Sequence, residues 1–384
     1  MPPLFRSGIF LSLALPSLDI LMFMNPLLIL INILKPLLYP ISLLYGVIVW
    51  LRNKLYDAGL ISSIQFSVPV ISVGNLSTGG TGKTPHIEYL IRLLQYEYKV
   101  ATMSRGYKRR TTGFYLAKEG TDATMIGDEP MQFHHKFPDV CVSVCEDRMT
   151  GIPRLLGEQP DIDIVLLDDA FQHRSVKPGL NILIIDFAKP FYKDHILPFG
   201  SLRESRKAYK RADIIIVSKC PPQLGDAVQQ EMIGKIKPLP HQKVYFSYIA
   251  YDTMTDFFTG EPLKIANANV VMVSGIAKPE PMLEHLRSTA ADVHLLRYPD
   301  HHYFTTANLE EIKQTITNWD VSEKIIITTE KDAARLAIHK ETLAQWNVRI
   351  AVLPIMIKFI ENEAGFNHEV NHYIFKEKEE MNME

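Results

Sequence analysis

A chain of 384 residues, 47% hydrophobic and 22% charged, has the composition of a globular protein and is long enough for two cores. Its formal net charge of −2 excludes a global field toward nucleic acid or anionic membrane, so any electrostatic attraction is local. Cys141, Cys145 and Cys220 make no disulfide framework and fit a reducing compartment; along an extended VCVSVC, Cys141 and Cys145 stand roughly 13 Å apart, too far to bridge.

Residues 20–34 carry no charge, Lys35 follows, and residues 36–51 again carry none before Arg52 and Lys54. Neither half reaches the roughly 20 residues of a spanning helix. Pro26, Pro36 and Pro40 also interrupt any single straight helix. Three readings of this hydrophobic N-terminal segment, residues 1–60, stand side by side. It is a membrane anchor, an amphipathic helix docked on the protein body, or a secretory signal. The last is disfavoured by the motifs downstream. Arg52 and Lys54 place the main body on the cytoplasmic side by the positive-inside rule. Met22 and Met24 stand as alternative starts.

After residue 60 short apolar runs alternate with helical stretches. FSVPVISVGN reads as a strand and TPHIEYLIRLLQ as a helix; VATMS, VCVSV, DIVLLD, NILIID and ADIIIVSK follow as strands. Continuous apolar runs of this kind suit a parallel sheet covered on both faces. The reading is an α/β P-loop domain over residues 61–250, with a mostly parallel sheet covered by helices. KVYFSYIAY and TMTDFFTGEPL read as a connecting segment. VVMVSGI, VHLLRY, KIIITT and RIAVLPIMI, with helices from Pro279 and about Leu309, make a smaller C-terminal α/β lobe over residues 251–384. Its tail, KEKEEMNME, reads as solvated and disordered.

Between the first strand and helix lies Ser77-Thr78-Gly79-Gly80-Thr81-Gly82-Lys83-Thr84. A loop in that position aims backbone N–H groups at an anion, and the helix dipole adds partial positive charge. Glycines let the backbone approach phosphate, Lys83 reaches the terminal phosphates, and the Thr84 hydroxyl holds Mg²⁺. Ser77 stands where the common G-x-x-x-x-G-K-[ST] pattern has its first glycine. An exposed glycine turn is the bland alternative.

Such a loop calls for an acidic strand end, and IVLLDDAFQHR supplies Asp168 and Asp169 as metal-shell candidates. Adjacent strand residues face opposite ways, so one meets the metal, Asp168 being preferred, and the other braces a neighbouring loop. Gln172 and His173 follow at the strand's C-terminal end, where open α/β sheets place ligands. Among the basic clusters, Arg105 and Arg203 are candidates for phosphate and the rest for anionic lipid; interleaved aromatics for nucleic acid are absent. GDEP offers Asp128 and Glu129, and YPDHHYF offers Asp300, His301 and His302. A carboxylate and an imidazole are what a hydroxyl phosphorylation needs, although each motif alone is more often structural, GDEP as a helix start and DHH as a loop. The paired histidines lack zinc spacing.

SVGNLSTGGTGKTP, SRGYKRR, GDEP, LLDDAFQHR, LPFGSLRES, PDHHYF and TTEKDAARL, in this order over roughly residues 30 to 355, resemble the tetraacyldisaccharide 4′-kinase family, the lipid A kinases of Gram-negative bacteria. Members of that family also lack the first loop glycine and carry a hydrophobic N-terminal segment. The resemblance implies phosphorylation of the 4′-hydroxyl of a tetraacyldisaccharide 1-phosphate by Mg-ATP, at the cytoplasmic face of the inner membrane. It implies Asp128 as general base paired with His301, His302 being the lesser choice. It implies Lys83, Thr84, Asp168, Asp169 and Gln172 as the phosphate and metal shell, and Arg203 and Glu204 as further active-site residues. Glu330, Lys331 and Asp332 match a motif of the family with no chemical role assigned. A dyad split between lobes implies that lobe closure assembles it. Inner-membrane lipids are the implied surroundings; no obligate protein partner and no nucleic acid is implied. A membrane-tethered P-loop NTPase that switches a protein partner is the rival reading.

Overall fold

The structure, a computed structural model, describes residues 35–264, 267–321 and 323–383. The anchor and signal readings of the segment before residue 35 lie outside the described residues. The strands are β1 (Val70–Gly74), β2 (Val100–Ser104), β3 (Tyr115–Leu116), β4 (Cys141–Val144), β5 (Ile164–Asp168), β6 (Leu180–Asp186), β7 (Ile214–Ser218), β8 (Lys243–Tyr251), β9 (Thr255–Asp256), β10 (Asn269–Ser274), β11 (Asp292–Arg297), β12 (Lys324–Thr329), β13 (Arg349–Leu353) and β14 (Ile355–Phe359). The helices used below are α1 (Tyr39–Asp57), α2 (Lys83–Leu94), α3 (Asp128–Lys136), α4 (Arg148–Glu158), α5 (Asp226–Ile236), α6 (Thr306–Asn318), α7 (Glu330–Leu336) and α8 (Glu363–Met383).

The described residues form two sheets, a nine-stranded one in the order β14-β8-β7-β6-β1-β5-β2-β4-β3 and a five-stranded one in the order β11-β10-β12-β13-β9. The large sheet is parallel except at its edges, where β3 and β14 run antiparallel to their neighbours. This is the α/β fold that the apolar runs imply. VISVG, IVLLD and IIIVS are buried at every position because helices and loops cover both faces. One face carries Ile87, Leu90 and Ile91 of α2, Phe133 of α3 and Phe366, Val370 and Ile374 of α8. The opposite face is covered by α4 on one side and by α5 with the segment through Phe191 and Ala208 on the other. In the register Val73 faces Asp168 across the β1–β5 pair, so the loop leaving β1 lies beside the acidic end of β5.

The structure departs from the sequence reading in three places. KVYFSYIAY is not a connector: it is β8, hydrogen-bonded in parallel to β7. RIAVLPIMI, one apolar run in sequence, divides at Pro354 into β13 of the small sheet and β14 of the large one. The small sheet is therefore built between β8 and β14, and the chain crosses between the sheets at residues 251–255 and again at 353–355. The Asp252 N–H donates to the Pro354 carbonyl at 3.0 Å, tying the two crossings together.

The third departure is the tail. Residues 376–383 are helical, continuing α8. Phe366, Val370 and Ile374 recur every four residues and are fully buried, while the charged residues lie on the outer side. Tyr373 Oη accepts the Val70 N–H at 3.1 Å and donates to the Val70 carbonyl at 3.2 Å, and Lys378 pairs with Asp163 at 2.5 Å. The charge-rich composition conceals a helix whose apolar stripe begins upstream of it.

Phe366 stacks on Phe359 with centroids 4.6 Å apart and closes the core below α2. Phe366→Ala is expected to destabilise the protein by about 3–5 kcal/mol, the range for deleting a buried aromatic ring. Urea unfolding measures it as a lowered midpoint at unchanged slope.

Candidate active site

The loop between β1 and α2 is shaped from within. Gly82 takes φ 99° at the N-cap of α2, with no side-chain cap on the helix amides. A Cβ there would stand 2.9 Å from Ser218 Oγ, so a left-handed turn and close packing both require glycine. A Cβ at Gly79 or Gly80 would instead meet nothing within 4 Å. Thr81 Oγ1 accepts from Asn75 Nδ2 at 2.9 Å, and the Thr78 N–H donates to the Ser201 carbonyl at 2.8 Å. Ser77 forms an antiparallel bridge with Leu202, so the position lacking glycine is held as extended chain. Thr84 is buried at the helix start.

Two bracing residues escape the sequence reading. His86 Nδ1 lies 2.7 Å from the Gly82 carbonyl and its Nε2 lies 3.0 Å from Ser247 Oγ. Burial lowers its pKa to about 4, so at neutral pH it is an uncharged strut: Nδ1–H donates to the loop and Nε2 accepts from Ser247. Lys219, at φ 61° just after β7, donates to the Gly80 carbonyl and pairs with Asp186 at 3.2 Å. Nothing in GGTGKT points to either residue, because both act through the loop's backbone from neighbouring elements.

The acidic strand end sits beside Lys83. Asp169 leaves the strand at φ 50°, so alternation of facing does not hold there and both aspartates serve the loop side. Its Oδ1 meets Arg203 at 2.8 Å and Lys83 at 3.5 Å. Burial works against its charge, but Lys83 and Arg203 hold the carboxyl below the usual range. Asp168 is only 2% exposed, and its Oδ1 has no hydrogen-bond partner. Burial, then the nearby Glu129 and Asp169 charges, push its pKa up to about 7 against the pull of Lys83. A buried carboxylate with an orphan oxygen suits a hard cation. With the Thr84 hydroxyl it fits Mg²⁺, although no group of three or more acidic, histidine or cysteine ligands is clustered among the described residues.

Gln172 ties the site's far wall together. Its Nε2 donates to the Asn75 carbonyl at 2.8 Å and to Glu204 Oε1 at 3.0 Å, and its Oε1 accepts from Arg203 at 3.3 Å. Glu204 is buried and held by a two-pronged pair with Arg211, at 2.7 and 2.9 Å. Asn53 of α1 also donates to it at 3.0 Å, while Tyr45 of α1 donates to the Arg203 carbonyl at 3.0 Å. Glu204 thus joins α1 to the wall, and Arg203 alone of this pair reaches Asp169.

GDEP does open a helix, α3, with Gly127 as N-cap. Its first side chain nevertheless points across to the second sheet's loops. Asp128 Oδ2 lies 3.2 Å from His301 Nδ1, so the pair read from sequence is together in the structure. His302 turns away: it stacks on Tyr298 and bonds Asn308 at 2.8 Å. The unassigned Glu330-Lys331-Asp332 lies on α7, which faces α3. Lys331 pairs with Glu129 at 3.0 Å and Glu330 with Lys136, while Arg335 reaches Asp128 at 2.7 Å. Lys136 also pairs with Glu88 of α2 at 2.7 Å. Burial favours a neutral Asp128, but Arg335 and then His301 hold it below the usual carboxylate range.

A model of the tetraacyldisaccharide-1-P 4′-kinase family matches residues 34–374. The chain is 41% identical over 353 residues to the tetraacyldisaccharide 4′-kinase of Phocaeicola vulgatus, covering 90% of this chain and 96% of that one. It is 43% identical over 348 residues to the enzyme of the same name from Flavobacterium johnsoniae, covering 89% and 98%. The solved structure of LpxK from Aquifex aeolicus in complex with ATP superposes with a TM-score of 0.68 at 27% identity, covering 89% of this chain and 99% of that one.

Asp168 carries the pH signature of this site. Its folded pKa is raised, so the folded state keeps a proton that the unfolded chain releases near pH 4. Stability from this group is therefore greatest at low pH and falls as pH climbs toward 7. Asp168→Asn removes the fall. In nucleotide-free protein its thermal midpoint should match the parent near pH 4.5 and exceed it by several degrees at pH 8. Glu88, also pushed up to about 7, titrates alike in both proteins.

Proposed function

The chain belongs to the tetraacyldisaccharide-1-P 4′-kinase family and phosphorylates the 4′-hydroxyl of a tetraacyldisaccharide 1-phosphate with Mg-ATP, forming lipid IVA in lipid A biosynthesis, and we propose that the transfer takes place at the seam between its two sheets. The observation that carries this assignment is the meeting of Asp128 and His301 from opposite lobes, with Glu129 close enough to feel both Lys83 and Asp168.

In this reading the amides of residues 78–84 and the Lys83 ammonium receive the phosphates of ATP and fix the γ-phosphoryl group for in-line attack. Thr84 and Asp168 hold Mg²⁺, which neutralises charge on the phosphate oxygens when bound. Asp169 keeps Lys83 and Arg203 aimed at the same space. The acceptor oxygen attacks the γ-phosphorus, the bond to the bridging β–γ oxygen breaks, and ADP departs. Asp128 takes the hydroxyl proton on Oδ1, which accepts no protein hydrogen bond among the described residues, while His301 supports the opposite oxygen. The rival reading of a tethered switch NTPase is not favoured: the second lobe supplies a histidine to the reaction seam, and hydrolysis alone needs no such base for an alcohol.

α1 supports a membrane-surface location. Its seam of Ser42, Tyr45, Asn53 and Asp57 faces the protein: Ser42 Oγ accepts from the Phe199 N–H at 2.8 Å, and Asp57 pairs with Arg174 at 2.9 Å. Ile41, Leu43, Leu44, Val47, Ile48, Trp50 and Leu51 are exposed. A contiguous apolar face of this size, on a helix of 19 residues, matches burial in the headgroup and acyl boundary of the inner membrane's cytoplasmic leaflet. No described helix is long and apolar enough to cross a membrane.

Incubation with Mg-ATP and the lipid disaccharide tests the reaction: stoichiometric phosphate on the acceptor is expected, and acceptor-independent hydrolysis would contradict it. Asp128→Asn and His301→Ala should each lower turnover on the order of 10²–10⁴-fold, with the double variant little worse than the worse single. Additive losses that follow thermal stability would dissolve the dyad. Separately, Val47→Asp with Leu51→Asp should abolish flotation with phosphatidylethanolamine–phosphatidylglycerol vesicles while ATP affinity is kept. Full flotation of that variant would place the membrane contact elsewhere.

A further inference from the structure

TTEKDAARL holds polar residues that the phosphoryl transfer leaves unused. The largest of the buried ones is Arg335, 2% exposed near the C-terminal end of α7. Every nitrogen of its guanidinium is engaged. Nη1 donates to the Gly275 carbonyl at 3.1 Å and to Asp332 Oδ1 at 3.0 Å. Nε and Nη2 donate to Asp128 Oδ2 at 3.2 and 2.7 Å, and Nη2 also lies 3.2 Å from His301 Nδ1. Asp332 is itself immobilised, with Oδ2 accepting from the Gly275 N–H at 3.0 Å and from Thr329 Oγ1 at 2.8 Å. The guanidinium is thus a strut from the ends of β10 and β12 to a carboxylate on the other lobe.

Its geometry is not that of simple charge pairing. A guanidinium that only neutralises a carboxylate tends to take both oxygens, fork to fork. Here both N–H bonds and the imidazole converge on Oδ2, and among the described residues Oδ1 has no protein hydrogen bond. We infer that Arg335 is a positioning residue for the Asp128–His301 dyad, fixing the carboxylate from the opposite lobe with one oxygen presented to the acceptor hydroxyl. This inference rests on Asp128 being the base.

A pH consequence follows. Arg335 and His301 face Asp128 from the second lobe; on its own helix it adjoins Glu129, which is paired with Lys331, and Asp300 lies 3.9 Å behind His301. The base works only when ionised, and the Arg335 cation lowers the pH at which Asp128 gains its proton. Without that cation the acid limb of turnover moves to higher pH.

The test measures turnover, both KM values, the pH profile and ATP binding in full-length protein. Arg335→Gln should lower kcat roughly 10- to 100-fold, the loss typical of a misplaced reacting group, at nearly unchanged KM for ATP. Its acid limb should shift upward. Arg335→Lys should restore the acid limb, since charge returns, but not kcat, since the fork does not. Asp332→Asn combined with Arg335→Gln removes the orphaned buried charge and should show the same kinetics with ATP binding intact. Loss of ATP binding in that double variant would assign Arg335 to folding and overturn the inference. Arg335→Gln with wild-type kcat and acid limb, beside an inactive Asp128→Asn, would overturn it alone. An active Asp128→Asn would instead overturn the base and the inference together.

Discussion

The contact of α7 with α3 is the constraint on which the chemistry depends. Three ion pairs cross it, Glu330 to Lys136, Lys331 to Glu129 and Arg335 to Asp128. They differ in kind. Lys331–Glu129 is partly exposed, and a pair in that setting contributes about 0–1 kcal/mol. Arg335 is buried, and removing one partner of a buried pair costs about 3–5 kcal/mol. The seam is therefore weak at its rim and strongly specified at its centre, where Asp128 and His301 meet. Among the described residues the chain crosses between the sheets at residues 251–255 and 353–355, and the two crossings are bonded to each other. The dyad is therefore a property of this seam, since Asp128 and His301 reach it from different sheets.

The same region places like charges together at a cost to the fold. Asp168, Asp169 and Glu129 lie within each other's fields, and Asp168 has no protein hydrogen bond at Oδ1. A site designed for stability alone would pair or delete that carboxylate. One designed for a bound cation leaves it bare, because the cation supplies the missing partner. The neutral His86 shows the opposite solution in the same loop: a buried titratable group with both nitrogens satisfied, and no charge to stabilise.

Much of this was legible in the residues. GGTGKT and the central strands follow from a loop motif and continuous apolar runs; the Asp128–His301 pair came from the family resemblance, and the two side chains lie 3.2 Å apart. What escaped follows physical reasons. A single apolar run broken by Pro354 does not announce that its halves join different sheets. The stripe of Phe366, Val370 and Ile374 precedes the charged tail that hides it. Asp169 is misread by strand alternation because a left-handed residue ends the strand one position early. Arg335 could have been noticed as the one cation five residues beyond Glu330 in an otherwise matched motif, but its target lies 207 positions away in sequence. Lys219 and His86 act on backbone carbonyls, which no side-chain pattern reveals.

The return of the chain to the large sheet has a consequence for biogenesis. β14 and α8 lie at the C-terminus, yet they cover β8 and the core beneath α2, and Tyr373 closes the backbone of β1, the first strand of that sheet. As the polypeptide leaves the ribosome, the phosphate-binding loop and its strands emerge well before β14 and α8, and one face of their core stays uncovered until those two elements have been made. The small sheet, whose strands are synthesised in one stretch between β8 and β14, has all its own partners earlier. The order of completion is thus the reverse of the order in which the sheets begin, and the nucleotide-binding core is sealed after the small sheet.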